Sequence, residues 1–458
     1  MKESNNDSGL AAKRSNRRFI VGLTAIAVSL ALQAQDFSRL GERSIIGTAR
    51  YVGMGGAMSA IGGDPSAAHD NPAGLGLYRR AEVLFTLDVT LDRTLQQGYT
   101  YMGYKNRMNV PQASVVISFP SYILSDEGVQ FNNLLFSYRR LQSYYRDIYA
   151  ASNQPAASLG NMLSYADVNW DIPFCTDPQS ASNTLLIQES GAVNEFAIDW
   201  AINISNRCFV GAGIQVQSSS LSDDAVYTET FHAINTDGKQ FYNRNKTSLL
   251  LSSTTATASL GLIYRPLGWL RLGLAMQTSS FGALKAYTTG ELSALTDSLR
   301  YSYAPDLSYR DDAFHMPWHV SSSVAFQIGA YGLAAIQYDY RHQKDELDTH
   351  SLRAGFEVIP ILGMYINAGY AYESTFKNDT RVVGIDPTFD RQDAYFQHPI
   401  GTHFASLAIG YRGTHMLVQA AYQYAYQSLN LWAHELADPY RINAQTHRIV
   451  LTLGWHQN

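Results

Sequence analysis

The chain has 458 residues, of which 46% are hydrophobic, 12% aromatic and 16% charged, with a formal net charge of −5. Soluble domains average about a quarter charged residues, so this chain is charge-poor, and its mild acidity gives no reason to expect a nucleic-acid partner. The length suits two or three ordinary domains or one large barrel.

The 30 tyrosines against 19 phenylalanines and 6 tryptophans suit positions where one end of a side chain is apolar and the other wet, as at a membrane interface. At the N-terminus, Lys13, Arg14, Arg17 and Arg18 precede the apolar stretch FIVGLTAIAVSLALQA at residues 19–34, and polar Gln35 and Asp36 follow. This pattern predicts a secretory signal over 1–34, cut after Ala34, with Ala31 as the rival site. No later apolar run reaches the about 20 residues of a spanning helix. Any membrane passage is therefore expected from strands.

Residues 35–80 lack strand periodicity and carry the run GMGGAMSAIGGDPSAAHDNPAGL at 53–75. A nucleotide loop would need a preceding strand and G-x-G-x-x-G. Here Gly53-Met54-Gly55-Gly56-Ala57-Met58 lacks the third glycine, and Gly-Lys-Ser/Thr is absent. The small residues read instead as a packing surface, with Gly-Gly-Asp-Pro and Asn-Pro-Ala-Gly as turns. A short segment of this kind ahead of a closed barrel is expected to fold inside it as a plug.

From residue 82 onward, runs with period-2 alternation recur. In EFAIDWAINI at 195–204, Phe196, Ile198, Trp200, Ile202 and Ile204 share one face; in WLRLGLAMQT at 269–278, Leu270, Leu272, Leu274 and Met276 do so. About fourteen such runs occur, at 82–91, 113–119, 131–140, 195–204, 208–218, 256–265, 269–279, 319–329, 331–340, 350–358, 362–372, 403–411, 415–425 and 446–455. Each is near the 9–11 residues of a tilted transmembrane strand. Links after odd strands are mostly long, notably 141–194, 219–255, 280–318 and 373–402, while links after even strands are mostly tight, such as Ser205-Asn206-Arg207. The alternation predicts an all-β, antiparallel barrel of about 14 strands over 81–458, with an elaborated rim and a plain rim. A water-soluble barrel would invert the faces. Export, low charge, abundant tyrosine, and polar Asp199, Arg271, Asn367 and Gln419 inside apolar strands favour the membrane version.

Other chemistry has little support. Cys175 and Cys208 form no CxxC pattern and could pair only across a large separation. His315 and His319, with Met316, are the leading metal or haem candidates, yet Pro317 argues against the helix that would align them. Carboxylate pairs such as Asp223-Asp224 and Asp311-Asp312 read as loop charge, and no G-x-S-x-G elbow occurs. Neither a cofactor nor an enzymatic activity is expected. In the 141–194 loop, Leu159, Met162, Leu163, Trp170 and Phe174 supply apolar surface, either as an outer docking site for a greasy ligand or as a cover for the barrel mouth.

The stretch TARYVGMGGAMSAIGGDPSAAHDNPAGL at 48–75 resembles the N-terminal signature of the FadL/TodX family of outer-membrane channels for hydrophobic compounds. It carries Met54-Gly55-Gly56-Ala57, Asp64-Pro65-Ser66-Ala67 and Asn71-Pro72-Ala73-Gly74-Leu75 in that order. The order of signal, short N-terminal domain and roughly fourteen strands fits as well, although Trp455 is followed by three more residues and does not end the chain. The resemblance implies a fourteen-stranded barrel with an N-terminal hatch at 35–80, both termini periplasmic, that takes up long-chain fatty acids or aromatic hydrocarbons by diffusion. It implies hatch movement and a lateral opening in the wall, with Phe37 as an N-terminal gate residue. Implied partners are the hydrophobic ligand, outer-membrane lipids and the barrel-assembly machinery. Relatives with this fold also suggest alternatives: a shuttle or anchor for secreted protein cargo in type IX secretion, or a haem- or lipid A-directed receptor or enzyme.

Overall fold

Period-2 alternation places successive side chains on opposite faces of a strand, and here it folds the chain into one closed sheet. The computed structural model describes residues 39–98, 102–121, 127–153, 156–157, 179–180, 182–234, 237–296, 299–304, 308–342, 347–377, 396–433 and 438–457. Fourteen antiparallel strands form the barrel. They are β1 (Glu82–Gln96), β2 (Met102–Pro120), β3 (Val129–Ser152), β4 (Ser182–Ile204), β5 (Cys208–Ile234) and β6 (Gln240–Leu267). β7 runs in two pieces, Leu270–Gln277 and Phe281–Thr296, and β8 in three, Leu299–Tyr303, Ser308–Phe314 and Trp318–Ile328. β9 (Gly332–His342), β10 (Leu347–Ile361), β11 (Met364–Lys377), β12 (Phe396–Arg412), β13 (Met416–Trp432) and β14 (Tyr440–His456) complete the wall. Closure comes from β14 pairing with β1, from Glu82↔His456 to Gln96↔Ile442.

The faces settle what alternation alone leaves open. On β4, Phe196, Ile198 and Trp200 are 60%, 54% and 46% exposed, whereas Glu195, Asp199 and Asn203 on the opposite face are each 1% exposed. The same holds on β7 for Leu272, Leu274 and Met276 and on β14 for Ile449, Leu451, Leu453 and Trp455, all exposed. Apolar side chains point outward and polar ones inward, which is the arrangement of a bilayer-spanning barrel and the inverse of a water-soluble one. No helix among the described residues is long and apolar enough to cross a membrane.

All fourteen strands lie where alternation puts them, but several are longer than the bilayer requires. β4, β5 and β6 have 23, 27 and 28 residues, against about 9–11 for a crossing. The segments 219–255 and 280–318, expected as loops, are therefore largely strand that continues past the membrane-level belt. The ladder needs only backbone pairing, so it persists through serine- and threonine-rich stretches such as Ser218-Ser219-Ser220 opposite Ser252-Ser253-Thr254. Segment 141–194 likewise begins and ends as strand; Leu159, Met162, Leu163, Trp170, Phe174 and Cys175 lie outside the described residues, as do Phe37 and most of 373–402.

Candidate functional site

Residues 39–78 fill the lumen near the rim of short turns, and their shape follows from capping chemistry. Thr48 caps helix α1 (Ala49–Gly53), its side chain accepting from the Tyr51 amide. Asp64 caps α2 (Pro65–Asp70) by accepting from the Ser66 amide, with Pro65 at the first helical position. Asn71 then caps a 3-10 turn, Pro72–Leu77, by accepting from the Ala73 amide. The Asp-Pro and Asn-Pro elements of the sequence are thus helix starts, in which proline loses no needed N–H and the carboxyl or amide satisfies an orphan donor. Asn71-Pro72-Ala73-Gly74, expected as a turn, opens this 3-10 helix. The caps also lock to each other, since the Thr48 hydroxyl donates to Asp64 Oδ2 at 2.6 Å and the Thr48 amide to Ser66 Oγ at 2.8 Å.

Wall glycines admit this segment. A Cβ on Gly369 would lie 2.1 Å from the Gly55 nitrogen, and one on Gly261 would lie 2.0 Å from Asn71 Oδ1. Gly55 itself holds φ +62°, a left-handed conformation that favours glycine. Around these contacts Val52, Met54 and Met58, all 0% exposed, pack on Ala325, Ala335, Ala371 and Ala408 of the wall.

Charges and amides tie the plug to the wall. Arg50 forms a bidentate pair with Glu357 at 2.7 and 3.0 Å, the geometry that makes such pairs strong. Arg353 bridges Asp70 of α2 and Asp339 of β9, each at 3.1 Å. Tyr51 donates to Asp70 at 2.7 Å. His69 meets Glu195 at 2.8 Å, and Arg139 donates to the carbonyls of Ile46 and Ser66. Burial raises the Asp70 carboxyl, but Arg353 and Arg139 outweigh it and hold it below the usual carboxylate range. Burial and Asp70 together push the Tyr51 phenol up to about 12. Three of the four polar strand residues that stood out in sequence belong to the same set: Arg271 donates to the Ile61 carbonyl at 2.9 Å, Gln419 accepts from the Arg50 amide at 3.1 Å and Asn367 donates to the Arg50 carbonyl, whereas Asp199 accepts from Gln215 of the wall at 3.0 Å.

Beyond the plug, toward the rim of long strands, lies a cavity of about 170 Å³. Its lining is polar, with Arg39, Glu42, Arg43, Asp92, Arg107, Arg146, Glu189 and Arg448 among its residues. Most of these charges are paired, Arg39 and Arg146 with Glu189 and Arg107 with Asp92. Arg43 instead bonds Gln217 and Met316; burial, and next the charge of Arg341, pull its guanidinium down to about 10. Further out, inward-facing Ile148, Leu185, Ile187, Leu429, Leu431 and Ile442 pack across the barrel into an apolar layer.

One side of this cavity meets a fault in the wall. β2 and β3 pair only from Gln112↔Arg139 to Pro120↔Phe131. Above that point β2 carries Pro111 and a bulge, β3 carries a bulge between Arg140 and Gln142, and no ladder joins residues 102–111 to 140–152 among the described residues. Side chains stitch the seam instead. Lys105 reaches Asp147 at 2.8 Å, Arg107 donates to the Tyr145 carbonyl at 3.0 Å, and Thr94 of β1 donates to the Asp147 carbonyl at 2.6 Å. Thr94 passes beside Gly103 of β2, where a Cβ would lie 2.5 Å from its hydroxyl. Asp92, Arg107, Tyr145 and Arg146 line both cavity and seam.

In outline this matches solved structures of membrane channels. A Pseudomonas aeruginosa FadL homologue aligns over 90% of this chain and 99% of its own, with TM-score 0.58 and 12% identity. The toluene transporters TbuX of Ralstonia pickettii and TodX of Pseudomonas putida align over 90% of this chain and 99% and 98% of theirs, with TM-scores 0.55 and 0.53, each at 13% identity. The chain shares their fold. No family profile matches the chain, and no curated protein matches it in sequence.

The metal candidates do not converge. His315 lies on the outer side, with its ring on the Ser280 carbonyl and edge-on to Phe281, while His319 is buried in the lumen against Asp339. A strand break at residues 315–317 puts the two on opposite faces, and no group of three or more His, Cys, Asp or Glu suited to a metal occurs among the described residues. Sequence reasoning missed Arg139, Arg353 and Glu357; their signal was a charge on the inward side of an otherwise apolar strand.

Proposed function

We propose that the chain is an outer-membrane channel for passive uptake of hydrophobic compounds, long-chain fatty acids or aromatic hydrocarbons, with both termini periplasmic. The observation that carries this reading is the unladdered seam between β2 and β3 beside a lumen cavity that the plug closes on the other side. A hydrophobic solute entering from the apolar layer of the long-strand rim meets charges below it, where desolvation opposes passage. The seam offers the low-barrier way out, sideways into the bilayer, whose hydrocarbon accepts the solute without energy coupling. Residues 39–78, held by Met54, Gly55, Gly56, Asp64, Pro65 and Asn71–Gly74, act as the hatch that blocks the direct path.

A reversible lock tests this. In a background with Cys175 and Cys208 replaced by serine, Lys105→Cys and Asp147→Cys are joined by a short bis-methanethiosulfonate, which forms a disulfide at each thiol with release of methanesulfinate and is cleaved by a reductant. Uptake of radiolabelled oleate by whole cells should fall at least about tenfold and return on cleavage. Unchanged uptake in the locked barrel removes the lateral route. Normal uptake in a deletion strain, with secreted cargo stranded in the periplasm, favours the type IX shuttle or anchor instead.

A further inference from the structure

The outer surface of six consecutive strands repeats one arrangement three times. β9, β11 and β13 each present an outward Tyr-x-Tyr: Tyr338 and Tyr340, Tyr370 and Tyr372, Tyr422 and Tyr424. On the strand that follows, a histidine stands directly opposite the second tyrosine: His350, His403 and His447. In the three sets the first tyrosine hydroxyl lies 2.6, 2.8 and 2.7 Å from the histidine Nδ1. The second tyrosine ring packs on the imidazole with centroids 5.1, 4.7 and 5.1 Å apart.

The level of these sets in the membrane follows from strand geometry. Eight residues separate His403 from Tyr411 and His447 from Trp455. Tyr411 and Trp455 are exposed at the short-turn rim, and Leu407, Ile409, Ile449, Leu451 and Leu453 lie exposed between the two levels. At about 3.3 Å per residue and roughly 40° of tilt, eight residues rise about 20 Å, close to the apolar band of such barrels. The Tyr–His sets therefore stand at the upper edge of that band, at headgroup depth.

With the phenol hydroxyl as donor to Nδ1, the neutral ring carries its proton on Nε2, and in that tautomer His403 and His447 present a donor to acceptors outside the wall. The arc continues past β14: Arg93 of β1 faces outward beside this level, its guanidinium 5.6 Å from the ring of Tyr104 on β2. On the described outward positions of β9–β14, β1 and β2 the one carboxylate is Asp348, which is held by His342 at 2.7 Å. The surface thus offers donors and positive charge where lipid headgroups begin.

We propose that this arc is a binding surface for phosphate-bearing lipid of the leaflet it faces. His403, His447 and Arg93 take the headgroup phosphates, the tyrosine rings hold the barrel at the interface, and the apolar band below receives the acyl chains. The occupant is continuous with the bilayer contact already made by the strands, and the proposal stands whether or not the lumen carries a solute.

The test uses the full-length protein in detergent with two probes, a bisphosphorylated lipid A and the same lipid after phosphatase treatment. The phosphorylated probe should bind at least about tenfold tighter by native mass spectrometry, and Arg93→Gln, His403→Gln and His447→Gln combined should erase that preference while leaving heat-modifiability on gels intact. Equal affinity of the wild type for both probes overturns the proposal, as does a folded triple variant that keeps the preference. If the triple variant does not fold, Tyr370→Phe with Tyr422→Phe, which frees the imidazoles but keeps the rings, is the deciding variant. Loss of at least about threefold in the preference supports the proposal, and no loss overturns it.

Discussion

The wall from β9 to β14 and the wall from β1 to β3 are both built from alternating strands, yet their ladders differ. In the first, registers run unbroken at membrane level, as from Gly332↔Val358 to His342↔Asp348 and from Met416↔Trp455 to Leu431↔Tyr440. Its inner face receives the plug through Gly355 and Gly369, Ala371 and Ala408, Arg353 and Glu357. In the second, a proline and two bulges end the ladder, and side chains stand in for it. Lipid offers no partner for a backbone N–H or C=O, so an unladdered stretch persists only where polar side chains satisfy it or it faces a cavity. The difference separates a rigid seat from a stitched opening.

The comparison can be broken at the seat. Asp70→Ala leaves Arg353 facing the lumen without one of its two carboxylates and the Tyr51 hydroxyl without its acceptor. Loss of one partner of a buried pair costs about 3–5 kcal/mol, so protease should cut within residues 39–78 at temperatures where the wild-type plug is protected. The same carboxyl gives an acid signature. Its folded pKa lies below the unfolded value, so its contribution is full above about pH 4–5 and is lost as pH falls through the folded value. Asp70→Asn should flatten that acid loss.

A milder break is Gly369→Ala, whose Cβ would press on the Gly55 nitrogen at 2.1 Å. Overpacking of this kind costs about 1–3 kcal/mol and should lower the heat-modifiability midpoint while strand content by circular dichroism stays constant. The smallest expected change in stability is at the seam. Lys105→Met removes a partly exposed ion pair with Asp147, worth about 1 kcal/mol or less, yet uptake should rise because a stitch is gone. A stability loss like that of Asp70→Ala, with uptake unchanged, would make the seam part of the seat.

Much of this was legible in the chain. Fourteen alternating runs located fourteen strands, because inward–outward alternation is imposed locally by the pleat. The small residues before the first strand were legible as a segment without strand periodicity, but its Asp-Pro and Asn-Pro elements read as turns and proved to be helix caps, set by contacts within three residues. Arg271, Asn367 and Gln419 stood out as polar intruders, and their partners proved to be carbonyls and an amide of the plug. His315 and His319 misled because nearness in sequence says nothing about facing once a strand breaks between them.

By itself, then, the sequence determined strand positions, alternation and the lack of any later apolar run of spanning-helix length. Only the tertiary structure decided which face looks outward, how far the strands run past the membrane, which wall residues hold the plug and where the ladder fails. The physical reason is range. Alternation and capping are set by neighbours, whereas facing, closure of Glu82 on His456 and the gap between β2 and β3 depend on register between strands, which exists only once the barrel has closed.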